Sequence, residues 1–166
     1  MVGMGALWDD ELVRVDAINA GAGTITLGRG CADTVPATHA ANARLWFYDV
    51  GMAYDATEYA DGESVDVKLL SNTGSQQLPI GSATPLSLTF DQRQSRPYPP
   101  GNVKLDAVAW PATESGSFVV TWAHRDRIGQ ADQLVDTTAA STGPEATTRY
   151  ALRFYNDSTN VLLVEK

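Results

Sequence analysis

The sequence predicts an all-β chain: a small antiparallel β-barrel or sandwich over residues 1–95, a proline-rich connector at 96–102, and a partial second β-sandwich over 103–166. Three observations carry this. Short runs alternate apolar and polar residues with a period of two, as Val13, Val15 and Ala17 do against Arg14 and Asp16. Turn signals rich in Gly, Asn, Asp and Ser separate the runs. Between Leu86 and Leu105, Pro97, Pro99 and Pro100 remove three backbone donors and hold φ near the polyproline value. They push Arg96 and Tyr98 toward extended conformations, so this stretch is neither mid-helix nor a central strand. A stiff connector between two β-rich bodies, each with its own core, is the expectation; the alternative is a Pro-rich loop within one domain.

The elements follow in order. Residues 11–17 (ELVRVDA) form a half-buried strand, residues 19–23 a glycine loop, and residues 24–27 the returning strand of a hairpin. Residues 29–41 are small, polar and turn-rich, with room for one helical turn after Pro36. Residues 44–50 (RLWFYDV) are a strand dense in aromatics. After the Asp61-Gly62 turn, residues 64–70 alternate Val65, Val67 and Leu69 against Asp66 and Lys68. A loop over 71–85 leads to another strand at 86–92. Past the connector, residues 102–110 and 117–124 read as strands. Residues 125–148 form a polar stretch with no clear period, longer than the roughly 12–15 residues at which structureless loops become uncommon. Residues 149–155 and 160–164 make a last hairpin around the turn at 156–159.

Composition narrows the function. A chain of 166 residues with ordinary apolar content and scattered tryptophans buries a globular core. The formal net charge of −8 argues against nucleic acid or an anionic membrane surface as a partner, since either calls for a basic face. No apolar run approaches the roughly 20 residues of a spanning helix, so no membrane insertion is expected. The amino terminus lacks the cationic and long apolar regions of a secretory signal. The single cysteine, Cys31, excludes an internal disulfide framework.

Several pieces carry a resemblance. Trp122 stands where a fibronectin type III domain keeps its B-strand tryptophan, and Tyr150-Ala151-Leu152-Arg153-Phe154 matches the Tyr-x-apolar-x-aromatic pattern of its C strand. Physically, Trp122 and Tyr150 are large side chains able to fill a two-sheet core with Val120, Leu152 and Phe154. The whole chain is similar to the carboxy-terminal region of the TIM-barrel-like tail hub, or tail tip, proteins of siphophages and gene transfer agents. The carrying residues are 11–15, Arg29-Gly30 with Thr34 and His39, 96–100, 122–127 and 152–157, in one order. The resemblance implies a structural subunit of the distal tail, made in the bacterial cytoplasm and resident in the virion. Its partners would be other phage tail proteins and further copies of itself, with a host surface receptor possible. An immunoglobulin-like sandwich needs about seven strands in roughly 100 residues. Only four are legible before Lys166, which reads as a segment of a longer protein.

No catalytic residue, metal site or cofactor is expected. Cys31 and His39 lie eight apart, His124 is remote, and zinc needs three or four ligands at recognisable spacing. Nothing marks Cys31 as an activated nucleophile. His39 is expected to tie its loop to the backbone. Asp9-Asp10-Glu11 and the acids between 55 and 66 lack a calcium-loop pattern and read as a solvated face. The interface candidates are His124, Arg125, Asp126 and Arg127, with Arg149 and Tyr150, because arginine forks pair with carboxylates or a neighbouring backbone. The equal alternative for the 124–127 cluster is an intramolecular salt bridge closing the loop mouth. A second functional reading is a carbohydrate-binding or host-receptor module, with Trp46, Tyr48 and Tyr54, together with Trp8 and Tyr59, as an aromatic platform for a sugar ring.

Overall fold

A computed structural model describes residues 2–48, 55–109, 111–131 and 133–166. The chain is all-β, with ten short strands among the described residues and 3-10 turns at Ile80–Ser82 and Arg93–Ser95. It divides into two compact units: Met1–Asp49 together with Pro97–Lys166, and Val50–Arg96. One boundary falls where the proline run begins. The other differs from the division expected at residue 95, because the first strands belong with the carboxy-terminal segment. The reason is polar. Among its described residues the aperiodic 125–148 stretch joins no strand pair, and it bonds instead to the first sheet and to Arg29 just past the end of one of its strands. Arg14 meets Asp136 at 2.9 Å, and the Thr137 amide donates to the Arg29 carbonyl at 2.8 Å.

In the first unit, β1 (Gly5–Trp8), β2 (Glu11–Asn19), β3 (Thr24–Gly28) and β4 (Leu45–Phe47) form an antiparallel sheet in the order β3-β2-β1-β4. Among the described residues this sheet has β3 and β4 at its edges, one of the small antiparallel sheets of an all-β chain. β2 shows why it forms: Glu11, Val13 and Val15 are buried while Leu12 and Arg14 are half-buried, the period-two pattern of a strand. Trp8 pairs with Glu11 across a two-residue turn in which Asp9 takes φ 50°, a conformation that Asp tolerates better than most residues. β1 escaped the sequence reading because Gly3, Gly5 and Ala6 blur its alternation. Gly5 is needed there, since a Cβ would lie 2.9 Å from the Tyr48 ring and 3.0 Å from Leu134.

The same unit holds two antiparallel pairs: β7 (Gly101–Leu105) with β8 (Val120–Ala123), and β9 (Arg153–Tyr155) with β10 (Leu162–Glu165). Trp122, Tyr150, Val120, Leu152 and Phe154 are all half-buried. The Trp122 and Tyr150 rings lie 5.4 Å apart, and Phe118 meets Phe154 edge-on at 5.6 Å.

In the second unit, β5 (Ser64–Lys68) pairs with β6 (Pro85–Thr89) in an unbroken antiparallel register. The two faces of this hairpin differ. On one, the Ser64 and Thr89 hydroxyls meet at 2.8 Å and Ser87 donates to Asp66 at 2.6 Å. The other carries the cross-strand pairs Val65–Leu88 and Val67–Leu86.

Candidate functional site

The predicted interface cluster lies at the end of β8, and much of it turns inward. Arg125 is only 5% exposed. Its guanidinium donates to the carbonyls of His124 (3.0 Å), Asp136 (2.9 Å), Ala139 (3.2 Å) and Ala140 (3.2 Å), with Thr137 at 3.4 Å. Burial pulls its pKa below the usual arginine value. It therefore organises the loop after β8 from within. Arg127 pairs with Glu145 at 2.8 Å, and Asp126 accepts from the Gly129 amide at 2.7 Å. These contacts are intramolecular, the alternative the sequence left open. His124 Nδ1 lies 3.1 Å from the Tyr150 hydroxyl, so those two candidates meet, beside Trp122. Arg149 is exposed.

The aromatic platform is thinner than its residue list suggested. Trp46 on edge strand β4 is 58% exposed. Tyr48 is half-buried against Gly5 and Tyr54 lies outside the described residues. In the second unit, Tyr59 stacks on Phe90 at 4.4 Å in an open depression lined by Asp55, Thr57, Asp61 and Asp91, so each ring already covers a face of the other.

Sequence reasoning missed the most tightly bonded polar centre. Glu11, 2% exposed, accepts from Arg29 Nε (2.7 Å) and Nη2 (2.6 Å), the Gly30 amide (2.8 Å), the Ala37 amide (3.0 Å) and His39 Nε2 (2.9 Å). His39 Nδ1 faces Asp9 at 2.8 Å. The imidazole stacks on Trp8 at 3.9 Å, and the Arg29 guanidinium sits over the same indole at 5.1 Å. His39 thus ties its loop to two carboxylates rather than to backbone. The signal was available: if Val13 and Val15 face inward, Glu11 does too, and a buried carboxylate demands partners.

Burial pushes the Glu11 carboxyl up, but Arg29, the Ala37 amide, His39 and the Gly30 amide outweigh it and hold the pKa at about 2. Asp9 first, then Glu11, raise His39 above its ordinary value, because only the imidazolium donates from both ring nitrogens. The pH dependence follows from these signs. The Glu11 contribution is complete above the unfolded value of 4.5 and is lost as pH falls toward about 2. The His39 contribution is complete below 6.5 and is lost as pH rises through its raised folded value. Urea midpoints should therefore be highest between those two pH values and fall on both sides. A midpoint still rising above the His39 range would contradict the assignment.

The remaining feature is apolar. Leu86 is 71% exposed and Val67 and Leu88 are exposed beside it, while Val161, Leu162, Leu163 and Val164 at β10 are also in solvent. Cys31 is fully buried, and burial lifts its thiol to about 11, which makes it unreactive. Among the described residues no group of three or more His, Cys, Asp or Glu side chains is placed to hold a metal ion. No protein-family model and no curated protein matches the chain.

Proposed function

We propose that this chain is a non-enzymatic structural module of a phage, prophage or gene-transfer-agent tail tip, acting as a subunit-contact piece of the hub. The observation that carries this reading is the pair of isolated two-stranded hairpins, β5–β6 and β9–β10, with exposed apolar side chains. Such a hairpin is marginal alone, and three or more strands or a packed partner are needed for independent stability. Contiguous exposed apolar surface and open strand edges mark sites of protein contact. The ordered resemblance to tail hub proteins supplies the setting: neighbouring tail proteins and further copies as partners, in the virion.

Sedimentation velocity over a concentration series tests it. The expected result is a sedimentation coefficient that rises with concentration, and that rise should weaken in the Leu86→Ser, Leu163→Ser double variant. A compact monomer at every concentration would count against self-association as this module's work. The exposure of Trp46 favours one other reading, a host-glycan contact. Saturable polysaccharide binding that is lost in Trp46→Ala, with the fold intact, would favour that reading instead.

A further inference from the structure

We propose that β6 is a self-pairing edge: two copies of this chain join antiparallel along β6, centred on Ser87, to make one four-stranded sheet in the order β5-β6-β6-β5. The inference rests on the subunit-contact reading and names the partner and the register for one of its surfaces.

The main chain supplies the first argument. The Phe90 amide donates to the Glu63 carbonyl and its carbonyl accepts from the Gly62 amide. In an antiparallel ladder the direction of these groups alternates, so Leu88 and Leu86 also turn theirs toward β5. Pro85, Ser87 and Thr89 then direct theirs away, where no strand lies among the described residues. Of the usual protections of an open edge, β6 carries Pro85 at its first position but neither a charge nor a bulge. Its register with β5 is free of the shifts that break the β2–β3, β7–β8 and β9–β10 pairings.

Charge permits a second copy as the occupant, and the register favours it. A chain of net charge −8 repels its own copies over most of its surface, yet residues 69–90 contain no Asp, Glu, Lys or Arg. A second copy meets no like charge along this edge.

The register is self-complementary. With Ser87 opposite Ser87 of the second copy, the two residues exchange both main-chain bonds. Each Thr89 amide then finds the Pro85 carbonyl of the other copy, which leaves the missing Pro85 donor at the outer position where it costs least. Leu86 falls opposite Leu88 of the second copy. Val65, Leu88, Leu86 and Val67 then run as an apolar row across all four strands, and the symmetry operation repeats the row. Ser87, already bonded to Asp66, keeps the opposite face polar.

Cysteine cross-linking of the full chain tests the register. Across a hydrogen-bonded antiparallel pair, Cα atoms lie about 5.5 Å apart, within the roughly 4.4–6.8 Å that a disulfide spans. Because Cys31 is fully buried, a new thiol reports alone. Ser87→Cys under mild oxidation should give a covalent dimer, and Ser75→Cys in the exposed loop should not. Ser87→Pro, which removes an outward-facing N–H and the hydroxyl bond to Asp66 but no donor of the β5–β6 ladder, should lose the concentration-dependent rise in sedimentation coefficient attributable to this edge, while Ser87→Ala, which loses the hydroxyl alone, should keep it. If the chain associates but Ser87→Cys gives no more dimer than Ser75→Cys, the β6 pairing is overturned while the contact reading stands. If the chain does not associate at all, the β6 pairing and self-association through any surface both fall.

Discussion

Glu11→Gln is expected to destabilise the first unit by about 3–5 kcal/mol, the range for removing one partner of a buried charge pair. The substitution keeps the shape and removes the charge, leaving Arg29 and the His39 imidazolium facing a neutral amide. The lower part of the range is the better expectation, because the Arg29 side chain is a third exposed and water can take up some of its charge. A terminal NH2 would also face donors: Glu11 accepts from two backbone amides, Gly30 and Ala37, as well as from side chains. The variant should lose the acid limb of the stability profile, since the group that titrates there is gone. Urea denaturation of the variant beside the parent at pH 5.5 checks both points. A midpoint within error of the parent would mean that the Glu11 cluster contributes nothing net to the fold.

Arg125→Met should cost about 3 kcal/mol or more, by a different route. Arg125 has no carboxylate to abandon; it leaves carbonyls. Asp136, Ala139 and Ala140 would lose a donor each, and a buried acceptor without one costs about 1–3 kcal/mol unless water reaches it. Arg125→Lys should recover little, because an ammonium is a compact point donor and cannot span carbonyls spread over five residues. Gly101→Ala acts on the same feature from the other side. A Cβ there would collide with the Arg125 guanidinium and lie 2.8 Å from the Thr137 carbonyl, so a loss of about 1–3 kcal/mol from overpacking is expected. The two losses should not add, since each displaces the same guanidinium. A double variant whose loss equals the sum of the singles would contradict the shared mechanism.

The strands were legible where side chains alternate cleanly. Residues 11–17, 24–27 and 64–70 became β2, β3 and β5 because period-two burial writes itself into composition. β1 was hidden by its glycine and alanine, whose small size serves close packing rather than pattern. The expected strands at 149–155 and 117–124 shrank to Arg153–Tyr155 and Val120–Ala123, since β propensity cannot say where pairing stops. Association of the first sheet with 125–148 was illegible for a deeper reason. It depends on Arg14, which donates to the Leu134 carbonyl and pairs with Asp136 more than a hundred residues away, and on the Thr137 amide, which donates to the Arg29 carbonyl; neither periodicity nor motif records such contacts. The candidate cluster 124–127 was found as a charged group at a strand end, but sequence could not tell an outward arginine from one folded back on its own loop. Glu11 was the reverse case, a buried acid visible in the pattern and passed over as part of an acidic surface run.

The account turns on two hairpins, neither with a third strand among the described residues, gaining one from a neighbouring chain. Hydrogen exchange followed by mass spectrometry at low and high protein concentration reads this directly. Protection should grow with concentration in peptides covering 64–68, 85–89 and 153–165, while β1 and β2, already paired within the sheet, exchange at the same rate throughout. Identical exchange in the hairpins at every concentration, with the first sheet well protected, would contradict it.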